Sequence, residues 1–284
     1  MLLRVLVQLT LVVGFMLAVA TVWLVGRNRL VRTRNEFPSR LRSIVPIGIV
    51  LVVVLLVNSV VRQFIPDVSW MIGWELTWTF FEIEGNLVGW IQRYETPALT
   101  AYFSFVYVYG YAFLLIFPVV AYFALSETKP VRLLLTAYTI NYTVGPLIYV
   151  FFIVYGPRNF AAEGLLYDAY PRYQHLTGEV NRNTNVFPSL HTSLSVTVAI
   201  FAYRTREVYR GWYPIALVLA GSVAFSTMYL GIHWAIDVVA GVALAYLSVH
   251  AADALIDRWD VYEHLEPYYE RYVAPSVGRL VDRR

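Results

Sequence analysis

The chain has 284 residues, of which 58% are hydrophobic and only 14% are charged, and its formal net charge is +3. Soluble domains carry about 25% charged residues, so this composition excludes a water-soluble globular protein and indicates an all-α integral membrane protein. The sequence contains no cysteine, which excludes disulfides, thiolate metal sites and a cysteine nucleophile, and it contains no nucleic-acid-binding motif.

Seven stretches are apolar enough to predict transmembrane helices, because about 20 mostly apolar residues cross a bilayer core. They are residues 5–25, 43–61, 98–125, 131–155, 188–203, 213–230 and 233–250. The first resembles a signal peptide, with Arg4 before it and a small-residue triplet at Ala18 to Ala20. Its apolar run continues to Val25 and then meets an arginine cluster, so we expect a membrane span that is retained.

That cluster, at residues 27–42, contains six arginines and predicts a cytoplasmic loop. With alternating spans, the N-terminus then lies outside, and most of the other basic residues fall in cytoplasmic segments. This topology requires that the aromatic stretch 65–96 does not cross the membrane. Glu75, Glu82 and Glu84 favour an interfacial or re-entrant segment, whereas a spanning segment would invert everything after it.

The predicted organisation has three parts. Residues 1–97 hold two transmembrane helices and the aromatic segment, residues 98–250 form a membrane core, and residues 251–284 form a cytoplasmic amphipathic tail. The alternation of spans brings three polar clusters to the extracytoplasmic face. They read VYGPRNF, VFPSLHTS and STMYLGIHWAID.

The last cluster contains His233 and Asp237, which lie four residues apart and therefore on one face of a helix. A carboxylate inside a membrane is costly unless it is paired, so this aspartate is a candidate functional residue. It would orient the imidazole and make it more basic. The alternative is an interfacial histidine with an aspartate that packs against a polar neighbour.

The second cluster places His191 just after Pro188 and Ser189, which are typical of a helix start. A histidine there is often only an interfacial polar residue. A helix N-terminus also suits an anion such as phosphate, and Arg158 in the first cluster can bind phosphate oxygens in a bidentate way. Two histidines supply the nucleophile and the acid that phosphoryl transfer through a covalent intermediate needs.

At these residues the chain resembles the type 2 phosphatidic acid phosphatase superfamily of membrane lipid phosphatases and phosphotransferases. The resemblance covers about residues 131–250. The family's Pro-Ser-Gly-His motif is matched by Pro188 to His191, with Leu190 in place of glycine, and its third motif is matched at Ser226, His233 and Asp237.

The departures from the family pattern all concern phosphate-binding cations or their surroundings. Of the first motif only Arg158 remains, because Phe151 and Asn159 stand at the lysine and proline places. Thr227 replaces the third-motif arginine, and Arg182 in the preceding loop is a candidate substitute. The Phe-Pro-Ser-Leu-His pattern without that arginine is nearest the inositol phosphorylceramide synthase branch, an inositolphosphotransferase-like group.

The resemblance implies a phosphatidic acid phosphatase-like helical core and a mechanism without cofactor or metal ion. In it His233 attacks phosphorus, Asp237 holds its ring and His191 protonates the departing oxygen. Arg158, Ser189 and Arg182 are then the candidate phosphate-binding residues, as Arg158 and backbone N–H groups near Ser189 balance the phosphoryl charge. The partners implied are a membrane lipid substrate and, in a transferase, a polyol or lipid acceptor.

Alternative functions remain open from the sequence. If water is the acceptor, the expected activity is that of a phosphatase for a polyprenyl (di)phosphate or a phosphatidate-type lipid. A degenerate membrane scaffold would fit the incomplete phosphate-binding set, and a transporter would fit the many spans, although no inverted repeat is visible. A zinc site formed by His191, His233 and Asp237 has a suitable ligand count, but nothing else in the sequence indicates one.

Overall fold

The computed structural model describes residues 2–173, 186–258 and Arg271, without the side chains of Leu2, Arg172, Asp257 and Arg258. Arg182 and most of the predicted tail lie outside the described residues. Within this part the fold is helical. The helices are α1 Leu2–Ala20, α2 Arg27–Asn35, α3 Phe37–Val61, α4 Ile65–Ile72, α5 Thr77–Glu84, α6 Leu87–Gln92, α7 Pro97–Phe105, α8 Tyr111–Phe123, α9 Lys129–Phe151, α10 Leu165–Ala169, α11 Leu190–Arg204, α12 Trp212–Tyr229 and α13 Ala235–Arg258.

Six helical stretches in the described part are long and apolar enough to cross a membrane, so the chain is a multi-pass membrane protein. They are Leu3–Val25, Phe37–Val61, Pro97–Phe123, Lys129–Phe151, Trp212–Tyr229 and Ala235–Ile256. The prediction of seven spans is not confirmed. The missing one is 188–203, where α11 has only 15 residues and is about 22 Å long, shorter than a bilayer core of about 30 Å.

The position of α11 explains why this short helix still belongs to the bundle. It packs against α9, α12 and α13, and most of its side chains before Tyr203 are enclosed rather than facing lipid. Glycine allows a close contact with α13, because a Cβ on Gly241 would lie 2.6 Å from the carbonyl oxygen of Ser189. α11 is therefore the central helix, and it does not need an apolar surface of full membrane length.

The boundaries of two other predicted spans also differ from the structure. The span 131–155 ends as a helix at Phe151, after which Phe152 and Ile153 pair in parallel with Trp74 and Glu75 in a two-residue strand contact. The last helix begins only at Ala235, and it continues past residue 250 to Arg258. His233 consequently lies in the turn before the helix rather than on it.

The aromatic stretch 65–96 contains no helix long enough to span, because it is divided into α4, α5 and α6 of eight, eight and six residues. These helices pack across the end of the bundle where α9 and α12 finish. Gln92 fixes one contact by donating to the carbonyls of Glu163 at 2.9 Å and Tyr229 at 3.0 Å. The segment thus covers the end of the bundle that carries the candidate site.

The arginine-rich helix α2 lies at the opposite end of the bundle. It precedes α3, and the 25 residues of α3 lead from Phe37 to the site end at Val61. At the arginine end, Arg40 is 4% exposed and donates to the carbonyl of Phe123 at 2.9 Å, where α8 finishes. Basic side chains at a helix C-terminus can donate hydrogen bonds to carbonyls that have no partner within the helix, so this arginine joins α3 to α8.

Candidate active site

The candidate site lies where four helices of the bundle end or begin. α9 and α12 finish there, and α11 and α13 start there. The three polar clusters are therefore brought to one end of the molecule, as their sequence positions predict. Polar groups at this end are available for chemistry, whereas the same residue types in mid-bundle would need partners inside the membrane.

His233 and Asp237 form the buried centre of the site. The Nδ1 atom of His233 lies 3.3 Å from Oδ2 of Asp237, and the exposed fractions of the two residues are 3% and 0%. The same carboxylate oxygen accepts the backbone N–H of Trp234 at 2.8 Å. Oδ1 of Asp237 is buried without a hydrogen-bond partner among the described residues. The carboxylate of Asp237 therefore contacts one ring nitrogen of His233.

Backbone contacts hold His233 in this orientation. The N–H groups of Ile232 and His233 donate to the carbonyl of Thr227 at 2.9 and 3.0 Å. The Thr227 hydroxyl donates a hydrogen bond to the carbonyl of Ala224, and the residue is fully buried. The residue that replaces the family's third-motif arginine therefore stabilises the histidine turn through its backbone, and its side chain does not line the site.

Glu84 supports the same turn from the aromatic segment. Its two carboxylate oxygens accept the N–H groups of Ala235 and Ile236 at 2.8 and 3.0 Å. These N–H groups belong to the first turn of α13, where they have no partner within the helix and where a negative charge is favourable. Sequence reasoning missed this role, because Glu84 lies about 150 residues away and no local pattern links the two.

His191 is the second residue of α11. Ser189 begins the helix as its N-cap, as the sequence predicts, and its Oγ atom accepts the N–H of Thr192 at 3.3 Å. The imidazole of His191 packs against the rings of Tyr107 and Tyr111, with centroid distances of 4.6 and 4.5 Å. Its own centroid is 6.3 Å from that of His233. The two imidazoles thus lie close together at this end of the bundle.

The aromatic walls beside His191 come from a π-helical turn, Val106–Gly110, between α7 and α8. Such turns insert an extra residue into a helix and are frequent at functional sites. Tyr107 lies within this turn and Tyr111 follows it. The turn changes the direction in which the tyrosines face, and so it contributes to the stacking on His191.

Arg158 lies in the short turn Pro157–Asn159, next to the His233 turn. Its N–H donates to the carbonyl of Gly231 at 2.9 Å. Glycine is required on both sides of this contact, because a Cβ on Gly156 would lie 2.4 Å from the Ile232 carbonyl oxygen and Gly231 has a φ of 73°. The guanidinium carbon is 5.1 Å from the ring centroid of Tyr167. The backbone of Arg158 is therefore held against the turn that carries His233.

The structure brings together five of the six residues predicted for the site. His233, Asp237, His191, Ser189 and Arg158 lie at one end of the bundle, while Arg182 lies outside the described residues. Ser189 is fully buried, with its hydroxyl directed to the first turn of α11. Among the described side chains, no three His, Asp or Glu residues lie together as the ligands of a metal ion would.

These features define a multi-pass helical membrane protein with two histidines and a paired aspartate at one end of its bundle. A family model described as the PAP2 superfamily matches residues 69–251, and the chain belongs to this superfamily. This match confirms the resemblance found in the motifs at the superfamily level. It also extends the family region upstream, so that it includes most of the aromatic segment.

A search of curated proteins gives a similar protein from Methanocaldococcus jannaschii, which is itself uncharacterised. It is 24% identical over 147 residues, which is 51% of this chain. The matched part spans 58% of the length of that relative. No solved structure matches the chain.

Proposed function

We propose that the protein is a lipid phosphotransferase or phosphatase that acts on a lipid phosphate or phosphodiester headgroup through a phosphohistidine at His233. Membership of the PAP2 superfamily supports the broad reaction class. The observation that carries the proposal is the buried His233–Asp237 contact of 3.3 Å with a second imidazole 6.3 Å away. A nucleophile, its orienting carboxylate and a separate acid are the parts that a two-step phosphoryl transfer requires.

In the first step, Nε2 of His233 attacks phosphorus and the bond from phosphorus to the leaving oxygen breaks. Asp237 stabilises the imidazolium that develops, because its carboxylate already contacts Nδ1. His191 gives a proton to the departing oxygen. In the second step it takes a proton from water or an alcohol, which attacks phosphorus and releases His233.

Charge on the transferred phosphoryl group is balanced chiefly by Arg158, which the Gly231 contact holds beside the His233 turn. Arg182 is a further candidate for this role. Ser189 contributes through the helix start, where α11 directs its first N–H groups and positive dipole end to the site.

Within the superfamily, we place the protein nearest the inositol phosphorylceramide synthase branch, as a transferase. The support is the Phe187 to His191 sequence together with Thr227, which supplies no cation. A site with fewer cations suits a phosphodiester better than a doubly charged phosphomonoester. We also propose that the site is extracytoplasmic, since α3 separates it from the arginine-rich α2 and arginines favour the cytoplasmic side.

The proposal is tested with His233→Ala and His191→Ala, using His250→Ala as the matched control. His250 is exposed near the far end of α13, so its removal should not affect turnover. We expect each site variant to lower turnover of a labelled lipid phosphate by at least about 10²–10⁴-fold, the usual contribution of an acid or base. Wild type incubated briefly should carry acid-labile phosphate on histidine, and His233→Ala should carry none.

Unchanged turnover in both site variants would reject the enzyme and favour a degenerate scaffold or a transporter. Adding a polyol or lipid acceptor separates the two reaction types. Label in the acceptor supports the transferase. Free phosphate that does not depend on acceptor supports the alternative, a polyprenyl (di)phosphate or phosphatidate-type phosphatase.

A further inference from the structure

Two carboxylates lie at the start of α13. Trp234 precedes this helix, whose first three residues are Ala235, Ile236 and Asp237. The first N–H groups of an α-helix have no partner within the helix. A serine, threonine, asparagine or aspartate just before a helix usually accepts one of them, but the side chain of tryptophan has no oxygen. The N–H groups of this turn therefore need oxygens from other residues.

Asp237 is one source of such an oxygen. An acidic side chain at the third position of a helix can reach back to the N–H of the residue before the helix. Oδ2 of Asp237 accepts the N–H of Trp234 in this way at 2.8 Å, and the same oxygen lies 3.3 Å from Nδ1 of His233. Oδ1 has no hydrogen-bond partner among the described residues. One carboxylate thus contacts both the helix start and the imidazole, and a movement further into the helix start would take it away from His233.

Glu84 accepts the N–H groups that would otherwise attract Asp237. It is the half-buried last residue of α5, and its Oε1 and Oε2 atoms accept the N–H groups of Ala235 and Ile236 at 2.8 and 3.0 Å. Both of its oxygens are therefore used at the positive end of the helix. The two carboxylates divide the work, since one caps the helix and the other is left to hold the imidazole.

Resting on the proposed function for its effect on rate, we infer that Glu84 is a positioning residue that caps α13 and so keeps Asp237 on Nδ1 of His233. An ionised carboxylate only accepts hydrogen bonds, so this contact requires the ring proton to be on Nδ1. Nε2 is then the unprotonated nitrogen, which is the form that attacks phosphorus in the proposed reaction. Without the Glu84 carboxylate, Asp237 turns to the N–H groups of the helix start, and the ring proton of His233 is no longer held on Nδ1.

The first test measures the tautomer of His233 and needs no substrate. Full-length wild type, Glu84→Gln and Glu82→Gln are labelled with ¹⁵N at histidine, and the ring nitrogen shifts are recorded in detergent micelles. His233→Ala identifies the signals of His233 by their loss. Glu82→Gln is the matched control, because Glu82 is an exposed glutamate of the same short helix.

We expect His233 to carry its proton on Nδ1 in wild type and in Glu82→Gln. In Glu84→Gln, the ratio of the Nδ1-protonated to the Nε2-protonated form should fall by about 10-fold or more, the effect of losing a hydrogen bond to a charged group. Glu84→Asp keeps the charge but retracts it by one methylene group. It should change the ratio in the same direction, and it replaces Glu84→Gln if that variant does not fold.

The second test measures turnover of labelled dioleoyl phosphatidic acid by the same variants, by Asp237→Asn and by the double variant. We expect Glu84→Gln to lower kcat by about 10- to 100-fold and to change KM by less than about 3-fold, since a misplaced nucleophile slows the chemical step. The double variant should be within about 3-fold of Asp237→Asn alone, because a residue that acts through Asp237 has no effect once that carboxylate is gone.

An unchanged tautomer ratio in Glu84→Gln, the same change in Glu82→Gln, a loss confined to KM, or losses that multiply in the double variant would overturn the inference. Failure of the proposed function gives a different result. In that case wild type and His233→Ala would turn over the lipid equally or not at all, and the tautomer ratio alone would decide the role of Glu84.

Discussion

α3 and α11 lie on either side of a cavity beside the candidate site, and they differ in almost every physical respect. α3 buries only 6% of its most apolar window, the smallest fraction among the six candidate spans of the described chain. α11 is enclosed along most of its length and carries serines and threonines on its buried positions. Lipid contacts most of the surface of α3. The hydroxyl groups of α11, in contrast, need hydrogen-bond partners within the bundle. The helix that hydropathy identifies most readily is thus the one with the smallest buried fraction among the candidate spans of the described chain, whereas the central helix α11 is not identified as a span at all.

The largest difference between the two helices should appear when a leucine is truncated. Leu194→Ala on α11 removes a fully buried side chain and leaves a cavity, so we expect a loss of about 2–5 kcal/mol in the free energy of unfolding. Leu56→Ala on α3 removes a side chain that is 61% exposed, and lipid or detergent fills the space, so the loss should stay near 0.5 kcal/mol, a rough estimate for surface changes. Unfolding in detergent measures both, and similar losses would contradict the contrast.

A smaller difference is expected for glycine substitutions. Gly241→Ala places a Cβ 2.6 Å from the Ser189 carbonyl oxygen, so α11 and α13 must move apart at a cost of about 1–3 kcal/mol. Turnover should fall as well, because Ser189 begins the helix that carries His191. Gly48→Ala on α3 is the control: its Cβ meets nothing within 4 Å, and the change should stabilise the helix by about 0.5–1 kcal/mol. Thermal unfolding with a parallel activity assay distinguishes the two, and a neutral Gly241→Ala would reject the close packing.

The smallest expected difference concerns single hydroxyls. Ser193 of α11 donates to the Asn141 side chain of α9, so Ser193→Ala should cost about 0.5–1.5 kcal/mol. Ser59 of α3 donates only to the carbonyl of Leu56 in its own helix at 2.7 Å, and Ser59→Ala should change stability by less than about 0.5 kcal/mol. A double-mutant cycle with Asn141→Ala should give a coupling energy for Ser193 and none for Ser59.

The sequence alone predicts the membrane class, most helix positions and the central residues of the site. The expected contact between His233 and Asp237 forms because a four-residue spacing is a local property that a turn before a helix preserves almost as well as the helix does. His191 is recognisable because Pro188 and Ser189 indicate a helix start. Each of these signals is contained within a few neighbouring residues.

What the sequence does not reveal depends on contacts between distant segments. Glu84 completes the first turn of α13 from the aromatic stretch, and Arg62 reaches the cavity from α3. Neither residue has a local pattern that names its partner. The prediction that residues 188–203 form a membrane span is not confirmed for the same reason, since an uncharged stretch predicts a span until its neighbours are known to bury its hydroxyls.

The contact between Leu190 and Gly145 makes the leucine in the second motif one half of a complementary pair. A Cβ on Gly145 of α9 would lie 2.5 Å from Cδ2 of Leu190, so the leucine occupies the volume that a side chain on α9 would otherwise take. Relatives with glycine at the position of Leu190 should therefore accommodate a larger residue at the position of Gly145. The two positions are expected to co-vary, and in this chain any side chain added at residue 145 would displace the wall next to His191.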